Sequence, residues 1–227
     1  MNNKKTLIGI LVIVLLGCIA MYFIEVRDNF DYFQKSFIKI IFFAILPVLY
    51  CIFNKNINLK DFLRIKSKKQ VLISLLLGIV LYIIIILSYI IFSEFIELNE
   101  ISNTLTTDLN INGGNFIYIA IYISLINSFL EEFFFRGFSF FSLSKLISKK
   151  FAYIFSSLAF SLYHVSMIAG WFNIYIFVLI IIGLFIGGLI FNYLNEKYEN
   201  IYNSWLVHMF ANFAINSIGI YMFYYLI

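Results

Sequence analysis

Five ionisable side chains in or directly beside long apolar segments of this 227-residue chain could form one site. They are the two histidines of the sequence and three residues of one segment: His164, His208, Glu131, Glu132 and Arg136. Ionisable groups at membrane depth are costly, so they usually face a partner or a polar cavity rather than lipid. Carboxylates and imidazoles that share a cavity can take up and release protons, which is the chemistry of water activation. We therefore expect these residues to mark a functional site.

The composition of the chain predicts a membrane protein. Hydrophobic residues make up 63% of the sequence and charged residues 12%, with a single proline. Lipid accepts such a surface, provided that helices satisfy their own backbone hydrogen bonds. We therefore expect an all-α fold, a polytopic transmembrane bundle of about seven to eight helices in a cell membrane. The lipid bilayer is then a partner and nucleic acid is not, because the basic residues follow the loops of a membrane topology.

Seven apolar segments are long enough to cross a bilayer, at about 20 residues per span. They cover residues 6–24, 36–53, 71–92, 115–135, 151–169, 173–194 and 201–227. The first segment is expected to be an uncleaved anchor, because Glu25-Val26-Arg27 follows it instead of a small-residue cleavage site.

The basic residues predict the orientation of these spans. Thirteen Lys and Arg residues fall on the side of the N-terminus, whereas the other side has Arg27, Lys35 and Lys39. The positive-inside rule then places the N-terminus in the cytoplasm and the C-terminus outside. The stretch 55–70 could also form an amphipathic helix on the inner surface, because apolar residues alternate with its bases.

Helix geometry separates the roles of the two neighbouring glutamates. Glu132 and Arg136 are four residues apart, so they share a helix face and are expected to form an ion pair. Glu131 is rotated by about 100° from Glu132, and its own face carries Asn127 one turn earlier. We therefore expect Glu131 to be the less neutralised carboxylate, and so the candidate base.

Two polar stripes should face the bundle interior, where their donors can find partners. The stripe on the fifth span consists of Ser157, Ser161 and His164, and that on the seventh of Ser204, His208, Asn212 and Asn216. Measured from the predicted span ends, Glu131, His208 and Asn212 lie about 6–17 Å from the cytoplasmic side, and His164 about 20 Å. The stripes are therefore expected to meet the glutamates in a cavity that opens to the cytoplasmic half of the bilayer.

Structural explanations compete for each of these residues taken singly. Glu131 and Glu132 could extend to the interface beside Arg136, and His164 could be a hydrogen-bonded packing residue. Asn212 could join helices. Three glycines of the sixth span, Gly183, Gly187 and Gly188, are expected to allow close helix packing.

The residues together resemble the CPBP intramembrane proteases, a family that includes type II CAAX prenyl endopeptidases and bacterial proteins linked to bacteriocin processing and self-immunity. The resemblance rests on three motifs in a fixed order on separate segments: Glu131-Glu132-x-x-x-Arg136, Phe160-x-x-x-His164 and His208-x-x-x-Asn212. It covers about residues 115–220. We therefore divide the chain into N-terminal helices without a recognised motif, 1–114, and a protease-like core, 115–227.

The resemblance implies a role for each matched residue. Glu131 and His164 would activate water, His208 and Asn212 would stabilise the oxyanion, and Glu132 with Arg136 would support the site. The sequence has no HExxH motif, so we expect no obligatory metal. A zinc ion held by Glu131, His164 and His208 stays an open alternative, as does the choice between a glutamate-type and a metallo-endopeptidase.

The expected function is intramembrane hydrolysis of a peptide bond near the cytoplasmic face. The substrate would be a membrane-associated peptide or protein, with a leader or signalling peptide favoured over a prenylated CAAX protein. The alternative from another class is a non-catalytic membrane scaffold with an immunity or regulatory function and the same fold. A proton-coupled transporter is less favoured, because the chain shows neither an internal repeat nor interrupted spans.

Overall fold

The computed structural model describes residues 3–27, 30–54, 56–65 and 67–226, and within these ranges the chain is helical without strands. The eight main helices of the described residues are α1 (Asn3–Glu25), α2 (Tyr32–Phe53), α3 (Lys68–Phe95), α4 (Leu98–Leu109), α5 (Phe116–Leu146), α6 (Lys149–Ile168), α7 (Ile174–Tyr198) and α8 (Tyr202–Leu226). All except α4 are long and apolar enough to cross a membrane. The predicted all-α bundle of seven to eight helices is thus confirmed.

Helix α5 is the centre of the bundle and contacts α1, α2, α6, α7 and α8. Over half of its apolar window is buried, 56%, compared with 11% for α3. Most of the other spans expose long apolar side chains on their outer faces, which suits contact with lipid. Many of the buried polar and charged residues lie on α5, among them Asn127, Glu131, Glu132 and Arg136.

The predicted end of the fourth span, at residue 135, is wrong, because α5 continues to Leu146. Phe134, Phe135 and Phe138 are fully buried in the main core cluster. Arg136 stands between them at 0% exposure, so it is an interior residue and not a helix-end anchor. Glu131 consequently lies at the middle of a 31-residue helix rather than near its end.

The stretch 55–70 does not form the expected amphipathic helix. Its described part has one short turn, Leu59–Asp61, before α3 begins. Phe62 is 1% exposed and packs on Gly137 of α5, where a Cβ would lie 2.5 Å from its ring. The backbone N–H of Ile201 donates to the Phe62 carbonyl, so this stretch inserts into the bundle. Lys55 and Lys66 lie outside the described residues.

Only one of the three glycines of α7 has the predicted packing role. A Cβ on Gly188 would lie 2.9 Å from the Cβ of Ser157 on α6, which is closer than side chains approach. The same construction on Gly183 or Gly187 meets no atom of the described residues within 4 Å. The expectation is therefore wrong for Gly183 and Gly187, which point away from α6.

Candidate active site

The polar residues of α5 lie in and beside stretches of π-helix. Its backbone has π-helical turns at Ile123–Asn127 and Glu132–Phe141, on either side of a short α-helical stretch that ends at Glu131. Such turns are rare and are often found at functional sites. Glu131 is 1% exposed and Glu132 is fully buried, so each carboxylate requires a partner inside the protein.

Glu132 is held by three side chains. Its Oε1 lies 3.2 Å from a guanidinium nitrogen of Arg136, which confirms the predicted ion pair. The same oxygen accepts a hydrogen bond from Nδ1 of His208 at 3.0 Å, and the Ser204 hydroxyl donates to Oε2. Glu132 thus anchors α8 to α5.

Glu131 has a cationic partner that the sequence reasoning missed. The ammonium group of Lys39, on α2, lies 2.6 Å from Oε1 of Glu131 and also donates to Oδ1 of the Asn127 side chain. The Asn127 amide in turn donates to Oε1 at 3.0 Å, as its position one turn earlier suggested. The expectation that Glu131 is the less neutralised carboxylate is therefore wrong: each buried glutamate has its own cation.

A signal for Lys39 was present in the sequence. The residue falls inside the apolar segment 36–53 and is 4% exposed. The positive-inside prediction, in contrast, counts it among the charges of the outer loops. The rule that ionisable groups at membrane depth mark a site applies to it as well.

The two histidines turn the same ring atom towards Glu131. Nδ1 of His164 donates to the Phe160 carbonyl at 2.7 Å, and Nδ1 of His208 donates to Glu132. Nε2 of each ring lies 3.7 Å from Oε2 of Glu131. The structure thus brings Glu131, His164 and His208 together around one carboxylate oxygen.

Aromatic rings enclose this cluster. Phe160 meets His164 edge-on at 4.7 Å and His208 at 5.7 Å between ring centroids. Phe191 stacks on His208 from the other side. The Arg136 guanidinium lies 4.0 Å from the Phe160 centroid and 5.0 Å from that of Phe191. The two phenylalanine rings therefore contact both Arg136 and the His208 imidazole.

The cluster lies deeper along the helices than the sequence predicted. Glu131 is 15 residues from the end of α5 and His164 is 15 residues from the start of α6, about 22 Å in each case. His208 reaches the same place from nearer its helix end, because α8 begins inside the bundle after the buried residues Asn200 and Ile201.

The polar stripe of α8 faces α5, but its members do not all reach the cluster. The Asn212 amide donates to the Ile123 carbonyl at 3.2 Å, two turns before Glu131. Asn216 donates to the Ala120 carbonyl and to the Ser124 hydroxyl. Asn212 is therefore placed one turn beyond His208, bonded to the backbone of α5.

The residues at the centre fit a resident divalent metal poorly. Glu131 and the two imidazoles are chemically suited to zinc. The Lys39 ammonium, however, already neutralises the carboxylate of Glu131, and a second cation beside it would be repelled in a buried site. No group of three His, Cys, Asp or Glu side chains among the described residues is arranged to hold a metal ion.

Comparison with known proteins agrees with the motifs. Residues 113–214 match the model of a protein family described as type II CAAX prenyl endopeptidase Rce1-like. The searches of curated proteins and of solved structures return no match. The matched range contains both glutamates, Arg136, both histidines and Asn212, and its family is consistent with a CPBP protease. The resemblance seen in the sequence is thereby confirmed, and residues 113–214 of this chain are similar to the Rce1-like type II CAAX prenyl endopeptidases.

Proposed function

We propose that this chain is an intramembrane endopeptidase that uses a water molecule activated by Glu131. The observation that carries the proposal is the approach of two Nε2 atoms to one oxygen of Glu131, each at 3.7 Å. Polar atoms at this separation are too far apart for a direct hydrogen bond, and one water can bridge them. The family match supports a peptide bond as the target.

The partners of the Nδ1 atoms support different proposed tasks for the two histidines. His164 donates from Nδ1 to a neutral carbonyl, which leaves Nε2 as an acceptor for a water proton. His208 donates from Nδ1 to the Glu132 carboxylate, and its proposed role requires a ring that also carries a proton on Nε2. Such a ring can donate from Nε2 to an oxyanion.

The reaction then proceeds with a balanced proton transfer. Glu131, assisted by His164, accepts one proton from water as the water oxygen attacks the peptide carbonyl carbon, and the second proton stays on that oxygen. His208 stabilises the negative charge that forms on the carbonyl oxygen, with Asn212 as the second proposed donor. The proton passes to the departing amine as the C–N bond breaks. Glu132 and Arg136 hold His208 in place, and no step uses a metal.

The substrate is proposed to be a membrane-associated peptide or protein that enters sideways from the bilayer. We place the N-terminus and the site's opening on the cytoplasmic side. Lys35 and Lys39 lie in buried ion pairs, so they no longer count as outer loop charges, and only Arg27 of the three remains. This change strengthens the charge asymmetry on which the orientation rests.

A non-catalytic scaffold of the same fold is the alternative. A scaffold has no need for two imidazoles that face one carboxylate at a distance suited to a bridging water. Such an arrangement leaves buried acceptor atoms without a donor, which is costly for a protein that gains no chemistry from it. The function of a scaffold would not depend on proton transfer by Glu131, so a Glu131→Gln protein that still folds should keep that function.

The experiment that tests the proposal compares the membrane and secreted peptides of cells with wild-type protein and with Glu131→Gln at equal expression. We expect a peptide that is processed by the wild type alone, and that is also left unprocessed by His164→Ala. Identical peptide profiles, together with a cellular phenotype that Glu131→Gln still rescues, would favour the scaffold.

A further inference from the structure

Lys39 is a buried cation in the middle of an apolar helix. It is 4% exposed, and its ammonium lies 4.8 Å from the ring centroid of Tyr163 and 5.5 Å from that of Phe43. A buried ammonium is costly unless an opposite charge compensates it. That partner is Glu131, which is 92 residues away along the chain.

The contacts of Lys39 distinguish the two oxygens of Glu131. Oε1 accepts from Lys39 at 2.6 Å and from the Asn127 amide at 3.0 Å. Lys39 also donates to Oδ1 of the Asn127 side chain, so the three side chains form a closed ring of hydrogen bonds. Oε2 is thereby left facing the Nε2 atoms of His164 and His208.

We propose that Lys39 is a positioning residue of the reaction, which holds Glu131 ionised with Oε2 directed at the water site. The inference rests on the proposed function. Lys39 does not touch the reacting atoms; it acts through Glu131, by fixing Oε1 and by supplying the opposite charge. A carboxylate without that charge would be costly in its ionised form at this depth, and a neutral carboxyl group is a poor base.

The proposal extends the site beyond the matched region. Residues 113–214 include Glu131 and both histidines, whereas Lys39 belongs to α2 in the part of the chain that the family model does not cover. The N-terminal helices thus supply a side chain to the chemistry and do not serve only as membrane anchors.

The test uses three variants of the full chain in proteoliposomes. Lys39→Met removes the charge with little change in length, and Lys39→Arg retains it in a different geometry. Lys35→Met is the matched control, because Lys35 lies one turn earlier on α2, is 6% exposed and pairs with Glu25 at 3.2 Å. Turnover is measured in cells by the peptide that Glu131→Gln fails to process, and in proteoliposomes with an internally quenched synthetic copy of that peptide.

We expect Lys39→Met to lower kcat by about 100-fold with KM changed less than about twofold, because the substrate still binds while the base is misplaced. Lys39→Arg should recover a measurable part of kcat, and Lys35→Met should match the wild type. Normal kcat in a folded Lys39→Met protein would overturn the inference. If Glu131→Gln itself keeps wild-type processing, the proposed function fails instead.

Thermal unfolding provides a readout that requires no substrate. Lys39→Met and Glu131→Gln should each lower Tm, since each leaves one buried charge unpaired. The double variant Lys39→Met with Glu131→Gln should have a higher Tm than Lys39→Met alone, because it leaves no unpaired charge at this position. Additive losses in the double variant would show that the two groups are not coupled, and would overturn the inference whatever the substrate.

Discussion

His208 donates from Nδ1 to Oε1 of Glu132 at 3.0 Å, and this bond joins the last transmembrane helix to the central one. The other nitrogen of the same ring faces Oε2 of Glu131 at 3.7 Å. A single imidazole therefore lies between two carboxylates that have separate cations, Arg136 for Glu132 and Lys39 for Glu131. In the proposed mechanism, one carboxylate positions the ring and the other acts on water.

The pairing of Glu132 with Arg136 predicts an asymmetric response to substitution. Glu132→Gln leaves a fully buried guanidinium without its charge partner, so we expect a loss of about 3–5 kcal/mol in stability. Glu132→Gln combined with Arg136→Met should recover most of that loss but little activity, because His208 still lacks its carboxylate. Unfolding temperature and peptide turnover measure the two effects. An unchanged Tm in the single variant would contradict the buried pair.

The sequence predicted the contacts that lie within one helix and missed those between distant helices. The pair Glu132–Arg136 and the contact between Glu131 and Asn127 follow from a spacing of four residues. The partner of Glu131 could not be found in this way, because Lys39 is 92 residues away and only packing brings it near. Its burial was nonetheless signalled by its position inside an apolar segment.

The end of α5 shows a second limit of sequence reasoning. Hydropathy treats Arg136 as the edge of a span, since a lone arginine in lipid is costly. In the fold its charge is paired with Glu132 and its guanidinium lies between two phenylalanine rings, so the helix continues to Leu146. The division of the chain at 114/115 and the catalytic roles stay predictions.

The hydrogen bonds of the two imidazoles predict their tautomers. The chain has two histidines, so protein labelled with ¹⁵N-histidine gives two sets of ring signals, which His164→Gln assigns. We expect a proton on Nδ1 of both rings, because each Nδ1 faces an acceptor. Glu132→Gln should shift the signals of His208 and leave those of His164 nearly unchanged. A bare Nδ1 on His164 would contradict the role assigned to its Nε2.

The charge balance around Glu131 predicts that chelators have little effect. Lys39 occupies the place of a cation beside the carboxylate, so activity in EDTA or 1,10-phenanthroline should stay within about twofold of the untreated protein. Metal analysis of the purified protein provides the independent check. Loss of turnover that added zinc restores would overturn the metal-free mechanism.

Two glycines of α7 should respond oppositely to the same substitution. Gly188→Ala places a Cβ 2.9 Å from Ser157, so we expect a loss of about 1–3 kcal/mol from overpacking. Gly183→Ala meets no described atom within 4 Å and should be neutral or raise stability by up to about 1 kcal/mol, because alanine favours helix more than glycine does. Thermal unfolding of both variants in the same detergent compares them directly, and equal shifts would argue against the close contact of α6 with α7.

Asn212 and Asn216 offer a matched pair that separates catalysis from helix packing. Asn212 makes one hydrogen bond to α5 and Asn216 makes two, so Asn216→Ala should lower Tm more. Asn212 lies one turn from His208, and loss of an oxyanion donor costs about 100-fold or more in kcat. We therefore expect opposite rankings: Asn212→Ala loses more turnover and Asn216→Ala more stability. Equal turnover in the two variants would make Asn212 a packing residue and leave His208 as the proposed oxyanion donor.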